Sequence, residues 1–118
     1  MMVAIITVNI GGKERSLKFG TNSTARYCEV RGCTLDEYLK DMSFTNMRGD
    51  EIRDLIYSGV WAYDTTKEIK IDYSRFDVGD WIDEADQKEV NKIFQSLTDS
   101  NKQLTDVKTG DSKEVKKK

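Results

Sequence analysis

Two adjacent glycines, Gly11 and Gly12, sit between two stretches of alternating residues near the start of this 118-residue chain and narrow its options sharply. A Gly-Gly pair supplies the positive φ angles that both central positions of a two-residue type I′ hairpin turn require. Before it, Val3 to Ile10 is dense in β-branched residues, with Ile6, Val8 and Ile10 alternating with Ile5, Thr7 and Asn9. After it, Lys13 to Phe19 places Arg15, Leu17 and Phe19 on one face, and Gly20 ends the run. Residues 3–19 therefore predict a β-hairpin. A lone hairpin is marginal in water, so the rest of the chain must cover one of its faces.

From Thr21 onward the pattern is helical. Asn22 or Ser23 is the expected N-cap of a helix over 23–31, and Gly32 stands where a helix leaves in the left-handed conformation. Thr34-Leu35-Asp36-Glu37 forms a capping box, after which Leu35, Tyr38, Leu39 and Met42 fall at i, i+3, i+4 and i+7. A third helix is expected over 49–63, with Ile52, Leu55, Ile56 and Val60 as its stripe and Tyr57 and Trp61 flanking it. Gly59 lies in that stripe; it costs ~1 kcal/mol against alanine in a helix interior, so it marks either a close neighbour or the helix end. Residues 64–73 read as a connector in which Ile69, Ile71 and Tyr73 alternate, a candidate third strand. Ser74 caps a helix carrying Phe76, Val78, Trp81 and Ile82. Asp86 and Glu89 form a weaker capping pair for a last helix with Val90, Ile93, Phe94 and Leu97 at i, i+3, i+4 and i+7.

These elements amount to an α+β chain that is mostly α: a hairpin and about five short helices in one domain over 1–97, with helices in 23–97. One hydrophobic core typically organises ~100–150 residues, which leaves no room for a second domain. Residues 98–118 carry Leu104, Val107 and Val115 as their aliphatic side chains and are expected to form a flexible polar tail.

Charge narrows the function. The chain has 19 Lys and Arg against 21 Asp and Glu; the tail holds 6 and 4 of these, so residues 1–97 hold 13 and 17. An acidic body lacks the basic stripe that phosphate neutralisation needs, and nucleic acid is not expected as a partner. No apolar run reaches the ~20 residues of a membrane span, and the start lacks the basic flank of a signal peptide, which favours a soluble protein of the cytoplasm. Histidine is absent, which removes the commonest general base near neutral pH and the partner that Cys28 and Cys33 would need for a zinc site. Both cysteines read as free packing thiols. The acids Asp77, Asp80, Asp83, Glu84 and Asp86 read as a solvated helix face, the dipole stabilising those nearest a helix start, and their spacing departs from a calcium loop. No phosphate loop or nucleophile motif occurs, so neither cofactor, metal, small-molecule substrate nor catalysis is expected.

The remaining signal is aromatic. A tryptophan buries on the order of 200 Å², so Trp61 and Trp81 must find cover either in the core or under a partner. Leu17-Lys18-Phe19-Gly20, Arg26 and Glu29 before Gly32, Leu55-Ile56-Tyr57-Ser58-Gly59-Val60, Asp77-Val78-Gly79-Asp80-Trp81-Ile82-Asp83-Glu84 and Phe94-Gln95-Ser96 occur in this order over residues 3–97. In that order and spacing the chain resembles the tail assembly chaperone family of long-tailed bacteriophages. The resemblance implies a mostly helical, non-catalytic protein that binds the helix-rich tape-measure protein and keeps it soluble while tail-tube subunits assemble around it. In many members a ribosomal frameshift gives a longer form that recruits those subunits. Tyr57, Trp61 and Trp81 are the expected partner-binding residues, and the wide apolar faces also allow self-association. A small phage or bacterial regulator that binds nucleic acid through a helix is the alternative.

Overall fold

The computed structural model describes residues 4–41 and 48–98, with the side chains of Lys40 and Asp41 left aside. Val3, Met42 and the expected flexible tail from residue 99 onward lie outside the described residues.

The hairpin forms as the glycines require. Strands β1 (Ala4–Ile10) and β2 (Lys13–Phe19) pair antiparallel, with Ile10 opposite Lys13, Val8 opposite Arg15 and Ile6 opposite Leu17. Gly11 and Gly12 both have positive φ, 65° and 78°. Val8, Ile10, Leu17 and Phe19 point into the core, while the Thr7 and Ser16 hydroxyls meet at 3.0 Å on the outer face.

Helix α1 (Thr21–Arg31) starts two residues earlier than expected, because its cap is Gly20 and neither Asn22 nor Ser23. The buried Ser23 hydroxyl instead reaches back one turn, accepting from the Gly20 N–H and donating to the Gly20 carbonyl, both at 2.9 Å. Gly32, φ 69°, ends the helix with its N–H on the Cys28 carbonyl. Helix α2 (Leu35–Asp41) carries the predicted box: the Glu37 N–H donates to the Thr34 hydroxyl at 3.1 Å, and the Thr34 N–H to the Glu37 carboxylate at 2.8 Å. Its predicted stripe is only partly used. Tyr38 packs edge-on against Tyr27, 5.3 Å between centroids, and Leu39 is half-buried, but Leu35 stays 51% exposed because so short a helix turns one narrow face to α1.

Helix α3 (Gly49–Thr66) is the axis of the molecule. It is buried without interruption from Asp54 to Val60, since the hairpin, α1 and α4 surround it. Gly59 is mid-helix, and the reason is a close neighbour: a Cβ there would stand 2.5 Å from Cε1 of the buried Phe19 ring. The helix runs three residues past its expected end and closes with two overlapping bonds, Glu68 N–H to the Thr65 carbonyl and Ile69 N–H to the Asp64 carbonyl. Glu68, in the left-handed region at φ 59°, turns the chain away there. That turn is why residues 64–73 do not become a third strand: the sheet has two strands among the described residues, and Ile69 is half exposed.

Helix α4 (Arg75–Glu84) begins at the predicted cap, with the Ser74 hydroxyl accepting from the Phe76 and Asp77 N–H groups and the Asp77 carboxylate accepting from the Ser74 N–H. Helix α5 (87–98) buries Val90, Ile93 and Leu97 with the expected spacing. The expected capping pair at its start does not form as such. Glu89 turns away from Asp86 and accepts the Asn9 N–H of β1 at 2.9 Å, tying α5 to the hairpin edge. Among the described residues no helix is long and apolar enough to cross a membrane.

Gly59→Ala, favourable by ~1 kcal/mol in an exposed helix, should here destabilise by about 1–3 kcal/mol because the Phe19 ring cannot leave its place; urea unfolding measures it. The Glu89 carboxyl is held below its ordinary range, first by the Asn9 N–H and then by Lys92. The unfolded chain therefore takes up that proton more readily, and the stabilisation is whole above pH ~4.3 and fades as the pH falls through the lowered folded value. The difference in urea midpoint between the wild type and Glu89→Gln should be larger at pH 7 than at pH 3.

Candidate functional site

The three aromatic residues singled out in the sequence lie close together but do not form an open face. Tyr57 on α3 is 6% exposed and belongs to the core, so it offers no outward surface. Its ring meets Tyr73 edge-on at 6.1 Å, and Tyr73 meets Trp81 of α4 at 5.2 Å. Burial, together with its bond to the Asp64 carboxylate at 2.7 Å, raises the Tyr73 hydroxyl above its ordinary pKa and keeps it neutral.

Each indole is roofed by an arginine. The Arg15 guanidinium lies 3.7 Å from the Trp81 ring centroid, held there because its Nε and Nη2 donate to the carbonyls of Ile10 and Gly11. Gly11 completes that cover: a Cβ would come within 2.7 Å of the indole. Arg26 lies 4.7 Å over Trp61 and donates to the Tyr57 hydroxyl at 3.2 Å. That bond is the largest influence raising the Arg26 pKa. Arginine on an aromatic face is attractive by ~0.5–2 kcal/mol and shields the ring from water, so both indoles are half-buried without a partner.

Sequence reasoning missed the strongest electrostatic feature. Asp54, fully buried on α3, receives three arginines: Arg31 of α1 at 2.8 Å, Arg53 of α3 at 2.9 Å and Arg75 at the start of α4 at 3.2 Å. Asp50, one turn earlier, is held well below the carboxylate range, foremost by Arg48. Nothing in a one-dimensional reading brings Arg31 and Arg75 to Asp54; the hint was an acid inside the apolar stretch 52–60.

This cluster shapes the surface outside it. Phe76, on the first turn of α4, is 61% exposed, with the Arg53 guanidinium 4.9 Å and that of Arg75 5.3 Å from its ring. From Phe76 a groove of about 670 Å³ runs between α3, α4 and α5. Ile52, Ile82, Val90 and Phe94 give it an apolar floor, and Asp50, Asp80 and Asp83 stand at its rim. Gly79 lets the Arg53 stem pack against α4, with Cδ 3.3 Å from where a Cβ would stand.

Cys28 and Cys33 are free, and burial, then Cys33, pushes the Cys28 thiol up to about 11, so it is protonated at neutral pH. Asp77 is occupied as the α4 cap. Among the described residues no three Asp, Glu or Cys side chains are grouped to hold a metal ion. Comparison with protein-family models, curated proteins and solved structures finds no match.

The Asp54 cluster yields a sharp expectation. Asp54→Ala leaves three guanidiniums facing one another with only Arg31 keeping a carboxylate, Asp50 at 3.4 Å, and breaking a buried pair costs about 3–5 kcal/mol. Chemical denaturation should show a loss of that size, well beyond the ~1 kcal/mol or less expected for Glu29→Ala, which removes only the exposed partner of Arg26.

Proposed function

We propose that the protein holds an amphipathic helix of a client polypeptide in the groove between α3, α4 and α5, in the manner of a phage tail assembly chaperone whose client is the tape-measure protein. The observation that carries this reading is Phe76, a large aromatic side chain left 61% exposed at the mouth of an apolar groove and fixed between two arginines. Interface anchors are commonly aromatic, and a helix-binding groove offers an apolar floor to residues spaced i, i+3, i+4 and i+7. Asp50, Asp80 and Asp83 at the rim suit lysines or arginines flanking the client's apolar stripe. Holding requires no reaction, in keeping with a protonated Cys28 and a chain without histidine.

The proposal moves the grip from the aromatic trio of the sequence to the groove. Tyr57, Trp61 and Trp81 then act by positioning α3 and α4, while Phe76, Ile82 and Phe94 meet the client. Tail-tube subunits would engage the client once it is held.

The experiment is co-expression with the tape-measure protein. The wild type should keep that client in the soluble fraction. Phe76→Ala should lower affinity at least tenfold, as loss of an aromatic anchor does, while shifting the unfolding free energy by less than about 1 kcal/mol because the ring is mostly exposed. A Phe76→Ala protein that holds the client as well as the wild type would sink the reading.

A further inference from the structure

The hairpin offers a second, unrelated site along the outer edge of β1. A two-residue turn makes Ile10 and Lys13 a hydrogen-bonded pair. In an antiparallel ladder bonded and non-bonded pairs alternate, so Asn9, Thr7 and Ile5 direct their backbone N–H and C=O groups outward. Asn9 bears out the parity, because its N–H leaves the ladder to reach the Glu89 carboxylate. Two and four residues further along, Thr7 and Ile5 face a groove of about 750 Å³ that separates β1 from α5. Lys88, Lys92 and Ser96 line the α5 side of it. Ser96 is 7% exposed, and its hydroxyl is buried without a hydrogen-bond partner among the described residues, an arrangement that favours a ligand able to supply one.

We propose that this groove binds a single extended peptide segment bearing a carboxylate side chain, which adds to β1 as a third strand. The backbone of an extended chain is the complement of two outward amide edges spaced two residues apart. The carboxylate is set by the lysines at the rim, which stand on an otherwise acidic body, and the Ser96 hydroxyl gains a partner. Glu89 already shows the chemistry inside the molecule: a carboxylate oxygen accepts an edge N–H beside Lys92. A second copy of the hairpin is the wrong shape. Its own β1 edge is flanked by α5, so pairing two copies edge to edge would force two helices of ~10 Å diameter into a space where strands sit ~4.8 Å apart. The β1 edge is independent of the client groove at Phe76.

The test uses the full chain labelled with ¹⁵N and the probe acetyl-Thr-Val-Glu-Val-Thr-amide. Binding should be saturable, shift the Ile5 and Thr7 amide resonances and slow their hydrogen exchange. The same peptide with its central amides N-methylated should lose more than tenfold in affinity, and one with Lys in place of Glu about three- to fivefold. Thr7→Pro, which removes an outward N–H that the hairpin ladder does not use, should weaken the unmodified probe by about tenfold. Failure to bind, equal affinity of the N-methylated peptide, or shifts confined to the groove around Phe76 would each overturn the proposal. So would slow exchange at Ile5 and Thr7 before any peptide is added: independent of protein concentration it would mean the chain covers its own edge, and rising with concentration it would mean a second copy does.

Discussion

A single buried carboxylate organises this molecule. Asp54 takes guanidinium groups from α1, α3 and the first residue of α4, so three helices are fixed to one point by charge-assisted bonds of 2.8 to 3.2 Å. Desolvating one carboxylate costs several kcal/mol, which is tolerable only with near-complete pairing, and the arrangement therefore admits one way of docking α1 and α4 on α3. Hydrophobic contact alone, being non-directional, would permit several. Two of the same arginines then extend outward to hold Phe76, so the constraint that specifies the core also fixes the candidate anchor.

Arginine serves a second purpose at the aromatic row. Trp61 and Trp81 are too large for the interior of so small a domain, and a partner would be one way to cover them. The chain covers them itself with Arg26 and Arg15, whose guanidinium groups lie over the rings while their nitrogens bond Tyr57 or the hairpin turn. The result links the β-turn to α4: Gly11 has to be glycine for its positive φ and again for the indole beneath it. With the indoles covered internally, the large apolar side chains most exposed among the described residues are Phe76, Ile5, Leu35 and Ile69, and of these Phe76 and Ile5 each line a groove.

Local chemistry made much of the fold legible. The Gly11-Gly12 turn, the Thr34–Glu37 box, the Ser74 cap and the i, i+3, i+4, i+7 run from Val90 to Leu97 each depend on residues within a few positions of one another, and each stands where the spacing puts it. Expectations failed where another group competed for the same atoms. Ser23, an expected N-cap, serves one turn inside the helix by bonding Gly20, and Glu89, expected to pair with Asp86, is drawn to Asn9, 80 positions away. The strand-like alternation at Ile69 to Tyr73 carried no information about the left-handed turn at Glu68 that removes it from the sheet.

The sequence by itself determined the hairpin, the five helices and their order, because backbone hydrogen bonding, caps and amphipathic periodicity are short-range. It also marked Gly59 as exceptional without saying why. Only the tertiary structure decided that Phe19 is the reason, that Asp54 gathers three arginines, and that Phe76 rather than either tryptophan stays in water. Those outcomes depend on which faces meet and at what distance, and both charge pairing and steric exclusion act between residues that the linear order keeps apart.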